Sequence, residues 1–489
     1  MKKLLVMMVI GAIAVLSAYA GPQGEGAAPT EPVVIKILKG NRNFDPSIHP
    51  VKAAIEEVTG YQTEWHMLPQ APQQANERVM LELSAGTDFD WIATNKTVYY
   101  DVAGKGALLA LDDLLKEHGQ NILDGATEMH WQEMTVGGKI YALPVKRSPE
   151  NTYNSVGYRA DVFEQLGLAD PETLEDFTKA LRTIKGETDL IPFTCSSEEI
   201  GDVRPVAAAF GLSNYWKEID GTLLPRPLQP AMKEYLQYWI ELREQGLIDP
   251  EIPSNKRENE QEKIASGRAA MNSAGWGEWQ TYVAMKDQVP GSEIAIMKAL
   301  QGPDGTREMA LGGVLADWPN IMPRSAKQPV EAMKFANAFA DKEGFARLVG
   351  GELGVHYEDV DGDLRPINPA FNDEVRMIWW YLISTRRDVY PKYFELGPKS
   401  NHPIVFWMYN ELQSNRQYAV ADPTTLVLPR PALEGKYRNS LIQLSRDFYI
   451  RVIFGSESID NYDKFLELWL SEGGQEMMDE MQREYAKIK

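Results

Sequence analysis

The chain of 489 residues contains one cysteine, Cys195. A lone thiol excludes an intramolecular disulfide and any thiolate metal cluster. It follows the apolar run Ile191-Pro192-Phe193-Thr194, which marks a buried, inert side chain rather than a nucleophile. Histidine is also scarce, and the six present are scattered without metal-ligand spacing. No Gly-x-Ser-x-Gly elbow, phosphate-cradling Gly-Lys-Ser/Thr loop or His-Glu-x-x-His pair occurs, so the common hydrolase, nucleotide and zinc-protease chemistries lack their residues. A formal charge of −20 argues against nucleic acid or anionic lipid as partners, since either needs a basic surface. Long apolar runs are absent beyond the first twenty residues.

What is present begins with those twenty. Lys2 and Lys3 precede an apolar run from Leu4 to Leu16, and Ala18-Tyr19-Ala20 forms a small-x-small site. This is the layout of a secretory signal peptide, with cleavage expected after Ala20. The run is short for a membrane span. Tyr19 stands where a lipidated cysteine would be needed, so a soluble, exported protein is expected in the periplasm or outside the cell. Export removes the chain from cytoplasmic nucleotide pools. Residues 21–32 are rich in Gly and Pro and read as a flexible linker.

From Val33 the pattern is β-α-β-α-β: a strand over 33–38, a helix from Pro50 to Gly60, a strand over 61–68, a helix over 75–85 and a strand over 89–93. That order predicts a parallel sheet with ligand beyond the carboxyl ends of its strands. Asn41, Arg42, Asn95 and Tyr99 lie just past those ends and are candidate hydroxyl-binding residues. A polar, aromatic stretch at 148–158 marks a crossing into a second α/β unit, which makes Arg147, Asn151 and Tyr153 candidates on the cleft floor. The second unit opens with a helix capped by Thr173 and Asp176, a strand at Ile191–Cys195, a helix over 230–245 and a strand at 269–272. A further strand is expected over Leu311–Ala316, a helix over 330–340, and a mostly helical tail from Asn368.

Twelve tryptophans supply the other signal. Trp276 and Trp279 flank Gly277 and Glu278 directly after a strand, and Trp318 follows another. Indoles in loops stack on the C–H faces of sugar rings, while carboxylates, amides and guanidiniums take the hydroxyls. Trp239, Trp379 and Trp380 lie in helical patterns and read as core. Asp112-Asp113 reads as a helix start, where the dipole favours acid. Asp359-Val360-Asp361-Gly362-Asp363 opens like a calcium loop, but Ala370 stands at the twelfth position, so a hairpin turn on Asp361-Gly362 is expected instead. No catalytic residues, metal site or cofactor are assigned.

Several segments together resemble the family-1 extracellular solute-binding proteins of ABC sugar importers, the group that includes maltodextrin- and alginate-oligosaccharide-binding proteins. They are Met80 to Trp91, Gly138 to Pro144, Tyr158 to Asp161, Pro171 to Phe177, Gly275 to Trp279 and Gly473-Gly474. The resemblance spans the mature chain. It implies an α/β, two-lobe periplasmic-binding-protein fold of type II, each lobe a mixed sheet flanked by helices. It implies a hinge with crossings near 148–155, 309–315 and 350–368. The lobes would then be 33–150 with about 311–350, and 151–310 with about 368–489. It implies a monomer that binds a carbohydrate, with ABC permease subunits as partners. An exported glycan-active enzyme, or a sensor that presents ligand without transport, remains open on the residues alone. Lys185 to Asp189 is too short and too poor in oxygen ligands for the calcium loop some members carry.

Overall fold

The computed structural model describes residues 33–40, 47–147, 149–428 and 430–489. Asn41 and Arg42, the side chain of Trp276, and the leader and linker over 1–32 lie outside the described residues.

The first lobe is built on a five-stranded mixed sheet. Val34–Gly40 pairs in parallel with Gln62–Leu68 on one side and Trp91–Ala93 on the other. Trp318–Ile321 then runs antiparallel between Trp91–Ala93 and Ala142–Val145, with Asn320 opposite both Ala93 and Leu143. Alternation along the strands fills two cores. Ile35, Ile37, Trp91, Leu143 and Val145 point one way, against the helices Pro50–Thr59 and Pro329–Phe339. Leu38, Ile92, Ala142 and Ile321 point the other way, against Val79, Tyr99 and Val102. The β-α-β start forms as the sequence predicts. Pro50 opens the first helix, and Gly60 closes it at φ 74, where a side chain would be strained.

The second lobe centres on an antiparallel sheet in the order Met271–Gly275, Asn154–Arg159, Ile294–Ile296. Leu174–Glu187 carries the expected reciprocal cap: Thr173 Oγ1 accepts from the Asp176 amide at 3.1 Å, and the Asp176 carboxylate accepts from the Thr173 amide at 3.0 Å. Phe177, Leu181, Phe193 and Trp239 are fully buried there, each burial worth roughly 1.5–3 kcal/mol. Cys195 lies in the same core and its thiol is pushed up by burial.

Three expectations are corrected. Ile191–Cys195 contributes only single bridges, Ile191 to Ala269 and Thr194 to Asn272, because Pro192 cannot donate to a ladder. Leu311–Ala316 is not a strand. Its backbone is taken by Asn151 and by the Glu133 carboxylate, which accepts from the Ala316 amide at 2.8 Å, and the strand starts at Trp318. The stretch after 368 does not return to the second lobe: Ile378, Leu382, Tyr390 and Phe394 pack into the first-lobe core. The third passage between cores therefore lies not at 350–368 but along the helix Pro403–Ser414, whose Tyr409 packs with the first core while its Met408 and Leu412 pack with Ala274 and Tyr282 of the second. The 350–368 stretch instead holds a hairpin, Tyr357–Val360 with Asp363–Pro366, turned by Asp361 and Gly362 at φ 56 and 90. That left-handed pair is the turn expected on Asp361-Gly362.

Candidate functional site

Where the chain passes between the cores, its segments are tied backbone to backbone. Asn151 and Gly312 exchange both amide hydrogen bonds, at 3.1 and 2.8 Å. Along this seam lie four adjoining hollows.

The first, about 200 Å³, sits at the carboxyl ends of the first-lobe strands and is lined by Lys39, Thr94, Asn95, Trp318 and Trp380. The second, about 420 Å³, shares Trp380 and is walled by Arg147, Tyr153, Asp317, Arg376 and Trp379. The third, about 340 Å³, shares Asp317 and runs along residues 313–317 to Lys96 and Thr425. The fourth, about 370 Å³, shares Leu311 and enters the second lobe among Arg204, Arg226, Arg438 and Tyr215. A larger hollow of about 870 Å³ lies between Leu174–Glu187 and Ala231–Glu244, but second-lobe residues alone build it and no crossing residue reaches it.

Aromatic planes and cations make the first two hollows distinctive. Trp318 and Trp380 stack with centroids 6.4 Å apart and planes 11° apart. The Arg147 guanidinium lies over both, 4.3 Å from the Trp380 centroid and 5.3 Å from that of Trp318. Its backbone amide donates to Asp317 at 2.5 Å, which pins the residue at the sheet edge. Lys39 is buried beside them, donating to the Leu382 carbonyl at 2.5 Å, with its ammonium 5.1 Å from the Trp318 ring. Burial first and Arg147 second hold that lysine well below its ordinary value. Lys146, also buried, lies 3.5 Å from Asp317. Behind this floor the buried His130 is pushed down to about 4, by burial and then by Arg387 and Lys146. The floor is therefore electropositive within a chain of charge −20.

The structure sorts the residues singled out from sequence. Arg147 and Tyr153 share the second hollow, and Trp318 and Asn95 share the first. Asn95 also caps Lys96–Val102, accepting from the Val98 amide at 2.9 Å. Asn151 is buried in the crossing itself. Tyr99 is corrected: helix register turns it into the core, where its hydroxyl donates to the Met134 carbonyl at 2.6 Å. Glu278 is also corrected. It is 3 % exposed and saturated by Arg257 and by Gln261 at 3.0 Å. Trp279 packs against a core and stacks on His402 at 6.2 Å, outside all four hollows.

Sequence reasoning missed Trp380 and Arg376. Arg376-Met377-Ile378-Trp379-Trp380 reads as helix interior, and only the half-burial of Trp379 and Trp380 reveals their second role. Trp239, by contrast, is core as expected. Asp112 behaves as a helix start and accepts from the Ile140 amide. Among the described residues no cluster of acidic, histidine or cysteine side chains is arranged to hold a metal ion.

Comparison with known proteins agrees with this architecture. A protein encoded upstream of butB in Niallia circulans is 30% identical over 246 residues, half of this chain and 95% of its own length. The polygalacturonan/rhamnogalacturonan-binding protein YtcQ of Bacillus subtilis is 20% identical across 99% of both chains. The substrate-binding protein FusA of an S. pneumoniae ABC transporter, solved with kestose, superposes with a TM-score of 0.68. It covers 93% of this chain and 99% of its own at 18% identity, a likeness of fold. Residues 51–354 match a family whose members are binding proteins rather than enzymes, and the chain belongs to it: the bacterial extracellular solute-binding proteins.

Proposed function

We propose that this protein is the exported receptor of an ABC importer, taking an oligosaccharide between its two lobes and handing it to the permease subunits. The observation that carries the reading is the line of four adjoining hollows along the crossings, with the Trp318–Trp380 stack and Arg147 at one end. Indole faces suit sugar C–H surfaces, and the flanking amide, phenol and guanidinium groups suit hydroxyls. The length of the line favours several sugar units over one. YtcQ is named for binding polygalacturonan and rhamnogalacturonan, and FusA is solved in complex with kestose.

Delivery requires the lobes to shut on the ligand and reopen. Few segments cross between the cores, and closure about them absorbs backbone rotation at a handful of residues. The test is a melting-temperature screen of the mature protein against oligosaccharides, followed by small-angle scattering with any sugar that stabilises it. A smaller radius of gyration with bound sugar, and recovery of the sugar intact, are the expected results. Shortened products, or an unchanged radius with a saturating ligand, overturn the receptor reading.

A further inference from the structure

We infer that the ligand is an acidic oligosaccharide, with a uronate carboxylate seated between Arg147 and Arg376; this rests on the carbohydrate reading above and names its chemical class. Most arginines here lie within reach of an acid, as Arg204 and Arg226 both do with Asp202. That pairing leaves the fourth hollow with little demand for an anion. Arg147 and Arg376 differ. They wall the same hollow of about 420 Å³, and neither makes a salt bridge among the described residues. Asp317, the one acid lining that hollow, is committed elsewhere: one oxygen accepts from the Arg147 amide and the other faces the Lys146 ammonium.

Leaving two guanidiniums half-buried with no ion pair among the described residues is costly in a chain with seventy acidic residues to choose from. A neutral sugar would not relieve it, because hydroxyls supply no charge. A carboxylate would. The geometry also fits. The Arg147 guanidinium lies 4.3 Å over the Trp380 ring and has N–H groups to donate, the fork that matches a carboxylate. Sugar carbons then lie against the indoles while the acid group meets the arginines.

The experiment is calorimetric titration of the mature protein with oligouronates and with the same oligomers after reduction of their carboxylates to alcohols. The acidic form is expected to bind at least tenfold tighter, with the ratio shrinking as salt is raised. Arg376→Gln, on the wall and outside the sheet, is expected to cut that ratio about tenfold at an unchanged melting temperature. Arg147→Lys keeps the charge but loses the fork and is expected to cut it less than Arg147→Gln. If reduced or neutral oligosaccharides bind as tightly as the uronates, the acidic assignment is overturned and the carbohydrate reading stands. If no oligosaccharide of either kind binds, the carbohydrate reading itself fails.

Discussion

Trp318 and Trp380 lie almost parallel, 6.4 Å between centroids, although one stands on a central sheet strand and the other on a short helical turn that packs back onto it. Neither is fully buried. An aromatic pair left half-open at the mouth of a hollow is a platform, and removing half of it should be felt by the ligand more than by the fold. Trp380→Ala is expected to weaken oligosaccharide binding about tenfold or more. Trp380→Phe, which keeps a face for Arg147, should lose less. Dissociation constants measured beside melting temperatures decide it: a large drop in stability with unchanged affinity would show a core residue.

Gly312 faces the ring of Tyr153 so closely that a Cβ would overlap it. Its φ is not positive, so the obstacle is the ring and not the backbone. Gly312→Ala is expected to push Tyr153 out of the second hollow, lower stability by about 1–3 kcal/mol and weaken binding. Adding Tyr153→Ala should recover much of the stability without restoring affinity. Additive losses in the double variant would show that the two residues do not meet.

Glu260 is 2 % exposed and lies beside Glu199, accepting a hydrogen bond from Asn272 at 2.9 Å. Burial, then the Glu199 charge, raises its carboxyl well above the usual range. The native state thus keeps a proton that the unfolded chain releases near the ordinary glutamate value of about 4.3. Its contribution is full below that value and is lost as pH rises toward the raised one. The steepest slope is about 1.4 kcal/mol per pH unit. Glu260→Gln should gain stability relative to the parent between about pH 5 and 8, read by urea unfolding at each pH. A constant difference across that range would refute the retained proton on Glu260.

Lys263 and Asp249 form a buried ion pair at 2.7 Å in the second lobe, 3 % and 1 % exposed at their side chains. Burial alone would raise the Asp249 carboxyl, but hydrogen bonds from Lys263 and Thr194 hold it below its usual range. Lys263→Met strands that carboxylate and is expected to cost about 3–5 kcal/mol, while Lys263→Met with Asp249→Asn should cost much less. Equal losses in both variants would mean that packing, not charge, is what Lys263 supplies.

Local chemistry made much of this fold readable in advance. Pro50 and Gly60 bound a helix, Thr173 and Asp176 cap another, and Asp361-Gly362 turns a hairpin, because each rests on neighbours a few residues away. The strand ends that frame the first hollow follow from the β-α-β order alone. What escaped was long-range. Trp318-Pro319-Asn320-Ile321 carries a proline yet lies inside a sheet, where Pro319 stands opposite Pro144. Trp380 looks like helix interior until the sheet that meets it is in place. Glu278 looks available until Arg257 and Gln261 claim it. Tyr99 follows a strand end as a ligand residue would, but the first turn of Lys96–Val102 rotates it inward.

The position of Trp318–Ile321 also constrains how the polypeptide can acquire its shape. This strand fills the slot between Trp91–Ala93 and Ala142–Val145, and the whole of the second lobe's sheet is encoded before it. An emerging chain truncated at residue 310 would therefore hold an interrupted first sheet, with two unpaired edges facing an empty lane. Such a chain must wait for distant residues before its N-terminal half can consolidate, and non-local closure of that kind is slow. The first sheet can therefore close only after most of the chain has been made.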